Sequence, residues 1–300
     1  MFYSPLRYPG GKSKLTPYIV ETLKLNHLEG GTYVEPFAGG AAIAWYLLLE
    51  GHIEKIYIND LNTSVYAFWY SVLSHTNELC ELITNTPVTI EEWYRQREIQ
   101  NSTYASLLQR GFSTLFLNRT NHSGIIQAGV IGGISQKGTY KIDCRFNKKS
   151  LVDKINAIAN LKDKITLTNF DAIDFINSVL PSIEDQCLVN IDPPYYVKGK
   201  GLYQNFFEHH DHYRLYECVK GISKPWIVTY DDTPEINEIY SEFNPRSFGL
   251  TYTAQVKRKG SEVIIHNPAL EACDYKPDIT FKELKKIKTK LYDHTVQVTT

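Results

Sequence analysis

Leu188-Val189-Asn190-Ile191-Asp192-Pro193-Pro194-Tyr195 decides how the rest of the chain is read. The run Leu188 to Ile191 has the makings of a buried strand, and it delivers Asp192 to the strand's carboxyl end. In open α/β sheets that edge is where ligands bind. Pro193 and Pro194 have fixed φ and no N–H, so they form a stiff turn whose carbonyls are not tied into a ladder. An acid, a directed carbonyl and the aromatic face of Tyr195 therefore gather at one point. Such a group suits an exocyclic amine, which can donate to Asp192 and to the Pro193 carbonyl while its ring stacks on Tyr195. A strand-end turn with a capping aspartate is the simpler alternative for these residues.

Outward from this run the chain alternates. Strands are expected at Ile165–Thr168, Trp226–Thr229 and Val263–His266, with helices between several of them. Toward the N-terminus, Thr32–Phe37 reads as a strand, Gly39-Gly40 as a turn, Ala41–Leu49 as an apolar helix and Ile56–Asn59 as a second strand. Thr16-Pro17 marks a helix start, and Asn62 caps a helix carrying Val65, Phe68, Trp69 and Val72. Strand–helix alternation at both ends predicts an open, doubly wound α/β sheet, Rossmann-like, with crossover helices. From about 84 to 149 the alternation lapses into one helix (91–108) and a glycine-dense stretch, Ser123–Gly138, suited to a hairpin or extended loop. Helix resumes over Ser150–Leu161. The expected organisation is a discontinuous catalytic domain (1–61 and 162–270), an insert (62–161) and a basic C-terminal tail (271–300).

Two further motifs bear on ligands. Glu35-Pro36-Phe37-Ala38-Gly39-Gly40 follows a strand and opens a helix, where glycines allow close backbone approach and the helix N-terminus favours anionic groups. Asp60 ends the next strand 21 residues after Gly39, the interval at which a carboxylate meets ribose hydroxyls in nucleotide sites. The third motif is Tyr8-Pro9-Gly10-Gly11-Lys12-Ser13. Its Gly11-Lys12-Ser13 mimics the end of a phosphate-binding loop, but Leu6 stands where the first glycine belongs and no strand precedes it.

Together these segments resemble the Dam-like, D12-class, alpha-group adenine-N6 DNA methyltransferases. In that family P-G-G-K, F-x-G-x-G, a target-recognition insert and D-P-P-Y follow one another in this order. The resemblance covers about residues 6 to 270. It implies a Rossmann-like S-adenosylmethionine-dependent fold and methyl transfer to adenine N6 in duplex DNA, with the target base flipped out of the stack. By position it implies that Tyr8, Gly11, Lys12, Glu35, Phe37 and Gly39 contact S-adenosylmethionine. Asp60 would hold its ribose and Asp171 its adenine amino group. Asp192, Pro193, Pro194 and Tyr195 would form the catalytic turn. One departure stands out: the last glycine of F-x-G-x-G is Ala41 here. Amino-group transfer to cytosine N4, to RNA or to a protein amide is the rival chemistry, and a catalytically decayed DNA-binding relative the rival class.

Composition sets the outer bounds. The 300 residues carry a formal net charge of −1, with 43% apolar and 22% charged residues. That average hides a segregation, because residues 101–150 hold seven basic side chains against the single acid Asp143, and 282–290 hold five lysines against Glu283. Within the insert the resemblance assigns Arg119 and Asn121 to base edges, Arg145 to the closing segment, and Lys137, Lys141, Lys148 and Lys149 to phosphates. Partners expected are duplex DNA and, acting separately, a cognate restriction endonuclease; a monomer suffices. Five scattered cysteines offer neither a disulfide framework nor a zinc site. His209-His210-Asp211-His212 does not converge on one helical face, so no metal is expected, and Asp211 reads as a helix N-cap. Asp231-Asp232 reads as a strand end capping the helix at Thr233-Pro234. No apolar run is long enough to span a membrane. Met1–Arg7 lacks the pattern of a secretory signal, so a cytoplasmic bacterial, archaeal or phage-encoded protein is expected.

Overall fold

Residues 3–7, 12–197, 207–254 and 256–287 are described by the computed structural model, the side chains of 250–254 and 256–259 excepted. Seven strands form one sheet: β1 Thr32–Glu35, β2 Lys55–Asn59, β3 Ile165–Thr168, β4 Cys187–Ile191, β5 Trp226–Asp231, β6 Arg246–Ala254 and β7 Val256–His266. Their order is β3-β2-β1-β4-β5-β7-β6. The first five are parallel; β7 runs antiparallel to β5 and β6. Strands β1, β4 and β5 are buried at every position, as near-continuous apolar runs in a covered parallel sheet should be.

The pleat sends alternate residues to two cores. Tyr33, Ile56, Ile58, Leu188, Ile227 and Ile264 face one apolar cluster, and Val34, Val189, Ile191, Val228 and Ile265 face the other. The first cluster is covered by α1 (Thr16–Leu25) and α2 (Ala42–Leu49) and continues into α3 (Thr63–Ser74), α4 (Thr76–Asn85), α6 (Leu107–Thr120) and α7 (Lys148–Ala159). The second is covered by α8 (Ala172–Ser178), α9 (His209–Lys220) and α10 (Pro234–Ile239). The helices between β2 and β3 thus share the core of the sheet's first face; the chain shows no seam in its core at residue 62.

The middle of the chain departs from the sequence reading at its helix. The single helix expected over 91–108 is two, α5 (Ile90–Asn101) and α6. Ser106 and Gln109 form a capping box, Gln109 N donating to Ser106 Oγ (3.2 Å) and Ser106 N to Gln109 Oε1 (2.9 Å). The Arg110 guanidinium closes the break by donating to the carbonyls of Gln100 (2.9 Å) and Ser102 (2.6 Å), so this cation is structural. Of the two forms expected for the glycine-dense stretch, Ser123–Gly138 takes the loop: it runs through turns, and the bridge Asn121–Val130 closes its first half. The N-cap of α9 is Glu208, and Asp211 is its capping-box partner three residues in, accepting from Glu208 N at 3.0 Å.

Asn59, fully buried at the end of β2, ties three strand ends together. Its Nδ2 donates to the carbonyls of Pro36 and Phe170, each at 3.0 Å, and its Oδ1 accepts from Thr168 Oγ1 (2.8 Å) and Phe170 N (2.9 Å). Replacing it strands several buried polar groups at once, each worth about 1–3 kcal/mol. Asn59→Ala is expected to lower unfolding stability by roughly 2–4 kcal/mol in urea titration; a loss under ~1 kcal/mol would show that the loops hold without this clamp.

Candidate functional site

After β1 the chain turns through Pro36–Gly40 into α2. Gly39 has φ +48° and Ala41 φ +46°, the left-handed region, which costs a non-glycine residue roughly 1–2 kcal/mol. Alanine therefore stands where a glycine would sit without strain, and the departure from F-x-G-x-G has left the backbone in the glycine conformation. The turn is pinned from β2: Asp60 Oδ2 accepts from Gly39 N (2.7 Å) and Oδ1 from Asn62 N (2.9 Å), while Trp69 Nε1 donates to the Gly39 carbonyl (2.9 Å). Burial raises the Asp60 carboxyl to about 6, against the pull of those two N–H donors. Phe37 is half-buried, its ring 6.0 Å from that of Phe207. Asp171 follows β3 and N-caps α8, accepting from Ile173 N at 2.9 Å. The Asn59 clamp holds the backbone just before it. Tyr8 and Gly11 lie outside the described residues.

Glu35 ends β1 beside Asn190 of β4, an extension of the register that pairs Val34 with Val189. It is buried, and its Oε2 has no hydrogen-bond partner among the described residues; nor do Asn190 Oδ1 and Tyr33 Oη. Burial pushes its carboxyl up to about 8 and the negative charge of Asp192 adds to this, against the neighbouring Tyr33, Ala44 N–H and Asn190.

Asp192 sits at the carboxyl end of β4 with its side chain 22% exposed. Its Oδ1 accepts from Thr229 Oγ1 at 2.8 Å and lies 3.2 Å from Lys12 Nζ. Among the described residues nothing reaches Oδ2. Burial raises its carboxyl above the ordinary value despite Lys12 and Thr229, which both favour the charged form. The Lys12 ammonium is buried; it lies 3.3 Å from Glu262 Oε2 and donates to the Tyr195 hydroxyl, 4.2 Å from the centre of that ring at its hydroxyl end. The expected catalytic turn and the Glu35 and Lys12 sides of the expected cofactor site thus meet across the gap between β1 and β4.

The sequence reading passed over two residues here and gave a third, Asp231, the wrong partner. Thr229 holds the Asp192 side chain, and Glu262 of β7 supports Lys12. Asp231 does not cap α10, whose N-cap is Thr233. Its two oxygens accept from Tyr196 N (2.9 Å) and Val197 N (3.0 Å), just beyond the catalytic turn. Polar residues at positions 229 and 231 of an otherwise apolar strand were the available signal. The three histidines of α9 go separate ways: His209 Nδ1 meets Tyr196 Oη (3.1 Å), His210 Nδ1 lies 3.5 Å from Asp211, and His212 is buried with Nδ1 on Tyr230 Oη (3.0 Å). No group of three metal-ligating side chains occurs among the described residues.

The insert's basic residues divide sharply. Arg119 is in the last turn of α6 and donates through Nε to the Pro5 carbonyl at 2.7 Å. Asn121 is buried, its Oδ1 taken by Trp93 Nε1 (2.7 Å) and its Nδ2 by the carbonyls of Ile125 (3.2 Å) and Ile126 (2.7 Å). In this arrangement it offers nothing to a base edge, because both ends of the amide are spent on the fold. Lys148 Nζ donates to the Thr84 and Thr86 carbonyls, both at 2.8 Å, closing the C-terminus of α4. Lys137, Lys141, Arg145 and Lys149 are exposed, with Lys149 paired to Asp153 (3.1 Å) and Lys141 donating to Gln136 O (2.6 Å). Arg7 joins this side: its backbone brackets Asn118, Arg7 N donating to Oδ1 and Nδ2 donating to Arg7 O, each at 2.8 Å. Its Nη1 is buried with no partner among the described residues. Burial, then the Arg145 charge, press the Arg7 guanidinium down; burial, Arg7 and Arg145 do the same to Arg119, and burial and Arg119 to Lys154. Four cations therefore crowd together where the N-terminal segment meets α6 and α7.

A family model described as D12 class N6 adenine-specific DNA methyltransferase matches residues 8–254. The chain is 26% identical over 204 residues to type II methyltransferase M.MjaIII of Methanocaldococcus jannaschii, an alignment covering 63% of this chain and 68% of that one. Among solved structures it is similar to the rRNA methyltransferase AviRa of Streptomyces viridochromogenes, with 12% identity, 86% of each chain covered and a TM-score of 0.35. A Legionella pneumophila protein, LPL1258, aligns at 16% identity over 95% of this chain and 92% of that one, with a TM-score of 0.31.

Glu35 makes the ligand-free protein sensitive to pH. In the fold it keeps its proton up to about 8, whereas its ordinary value is 4.5. The folded state therefore binds more protons across that window, and stability falls as pH rises through it. Asp60, raised to about 6, adds to the lower part of the fall. Thermal unfolding between pH 5 and 8 is expected to show this decline, and Glu35→Gln to flatten it; an unaltered pH slope in the variant would place the titration elsewhere.

Proposed function

The chain belongs to the D12 class of N6 adenine-specific DNA methyltransferases, and on that footing we propose that it transfers a methyl group from S-adenosylmethionine to N6 of an adenine flipped out of duplex DNA at a specific site. One observation carries the reading: Asp192 has Oδ1 engaged and Oδ2 open, beside the Tyr195 ring and across from the unpaired Glu35 Oε2.

The residues present fit the cofactor. Glu35 Oε2 is an orphaned buried acceptor suited to an ammonium group, and Asp60 and Asp171 keep lone pairs for hydroxyl and amino donors. Glu35, Phe37, Gly39, Asp60 and Asp171, with Tyr8 and Gly11, would hold it. S-adenosylmethionine supplies, when bound, a methyl group on a sulfonium that is already electrophilic. Asp192 Oδ2 and the Pro193 carbonyl accept hydrogen bonds from the two N6–H groups and so turn the amine's lone pair out of conjugation. Pro194 keeps the turn stiff, and Tyr195 offers its face to the base. The amine must shed one proton as it gains the methyl, and a carboxyl raised by burial is a competent acceptor. Lys12 holds the Tyr195 hydroxyl and Asp192 Oδ1 from the edge of the ring, with Glu262 at 3.3 Å as its second counter-charge.

Residues 62–161 are read as the recognition insert and the flanking segments (1–61, 162–270) as the catalytic part, one of each sufficing in a monomer. Lys137, Lys141, Arg145 and Lys149 are the exposed phosphate contacts, and the cluster of Arg7, Arg119, Arg145 and Lys154 marks where the duplex lies closest.

Asp192→Ala is expected to abolish N6-methyladenine formation while calorimetry still detects S-adenosylmethionine binding; near-normal methylation would sink the assignment. In the parent enzyme, turnover should fall on acidification at a pH above the ordinary carboxylate range, because protonated Asp192 no longer accepts from N6. Neutralising Lys137 and Arg145 should lower the slope of log affinity against log salt by about one for each phosphate that is no longer neutralised. Lys148→Gln should instead reduce stability and leave the slope unchanged; the reverse pattern would place the DNA on another face.

A further inference from the structure

We infer that the end of β5, Thr229 and Asp231, is the template that sets the catalytic turn: Thr229 fixes the Asp192 carboxylate and Asp231 fixes the backbone that follows Tyr195. This rests on the functional reading above and names positioning residues for it.

The need for such a template follows from the sequence of the turn. Pro193 and Pro194 contribute no N–H, so the stretch between Asp192 and Tyr195 cannot brace itself with donors of its own. Its anchoring has to come from outside. Tyr196 N and Val197 N supply donors immediately downstream, and both end on Asp231, one to each oxygen at 2.9 and 3.0 Å. Upstream, Thr229 Oγ1 donates to Asp192 Oδ1 at 2.8 Å. Thr229 and Asp231 stand two apart and so share one face of the strand. Tyr230, between them, faces the other core and meets His212.

The strand that carries them is a good reference frame. It is bonded on both sides, with Ile191 of β4 opposite Val228, and Ile264 and Glu262 of β7 opposite Thr229 and Asp231. Both residues are buried: Thr229 has no exposed surface and Asp231 4%. A hydroxyl and a carboxylate placed there transmit the position of a rigid strand to a loop that has no ladder of its own. Thr229 also selects which oxygen works. By occupying Oδ1 it leaves Oδ2 for the amine.

The same bond gives a signature that mere structural support would not. The charged and titratable groups around Asp192 are Lys12 from the N-terminal segment with Glu262 of β7 behind it, and Tyr33 and Glu35 from β1; Thr229 bonds it from β5, and Tyr230 feels its charge from the far side of that strand. Removing the Thr229 hydroxyl withdraws a donor that favours the charged carboxylate, so the acidic limb of turnover should move to higher pH.

The test uses the full-length protein on unmethylated plasmid DNA with tritiated S-adenosylmethionine, comparing parent, D192A, T229V, T229S and D231N. T229V should lower kcat about tenfold and shift the acidic limb upward, with KM for S-adenosylmethionine and its calorimetric affinity within about twofold. T229S keeps a donor in place and should recover turnover to within about threefold. D231N sets an amide NH2 against a backbone N–H and should lower kcat by about 10–100-fold, again at nearly constant cofactor affinity. If T229V keeps its kcat and pH limb, or if either variant loses cofactor affinity in proportion to turnover, the template idea is overturned. An active D192A would overturn the functional reading itself; an inactive D192A beside a normal T229V would overturn this inference alone.

Discussion

Strands β1 and β4 lie side by side while the chain leaves them toward opposite faces of the sheet, α2 packing into one core and α9 into the other. That makes the carboxyl edge between them a topological switch point, the place at which open α/β sheets bind ligands. Every feature of the site is a consequence. Glu35 and the glycine turn come from one wall, Asp192 to Tyr195 from the other, and the neighbouring strands supply the braces: Asp60 and Asn59 from β2, Thr229 and Asp231 from β5, Glu262 from β7. The site is a set of strand ends held in register by hydrogen bonds that the sheet itself has no use for.

The arrangement is costly. Asp192 and Glu262 flank the buried ammonium of Lys12, and Glu35 lies within reach of the Asp192 charge. Burial disfavours the charged forms of Glu35 and Asp192, and the charge of Asp192 adds to this at Glu35. Breaking a buried pair by removing one partner is more damaging than never having built it. Ala41 adds backbone strain at the turn beside them. The partnerless Glu35 Oε2 and the strained turn lie at the same edge of the sheet.

Charge is organised on the same principle of locality. A net charge of −1 describes no part of this molecule well. Several cations that looked available for DNA are structural: Arg110 and Lys148 close helix ends, and Arg119 is held on the Pro5 carbonyl. Arg7, from the opposite end of the sequence, joins Arg119, Arg145 and Lys154. The N-terminal segment therefore links the insert to the carboxyl edge, with Arg7 on one side and Lys12 on the other.

Much of this was legible in the chain itself. Apolar runs ending in Glu35, Asp60 and Asp192 were enough to predict a doubly wound sheet and its strand ends, because period, burial and turn chemistry are local properties. The Asn62 cap and the glycine turn, kept even with Ala41 in it, were local as well. The helix break at 102–106 was also written locally, in the Ser106–Gln109 capping box, and a continuous polar pattern masked it. What tertiary structure alone decided is which polar groups are already spent. Asn121 and Arg119 have the composition of base readers, yet their partners, Trp93 and Pro5, are distant in sequence. Thr229 and Asp231 look like an ordinary strand end until β5 is laid against β4. A residue's type fixes what it can bond; only the fold, by bringing remote donors and acceptors within about 3 Å, fixes what is left over for function.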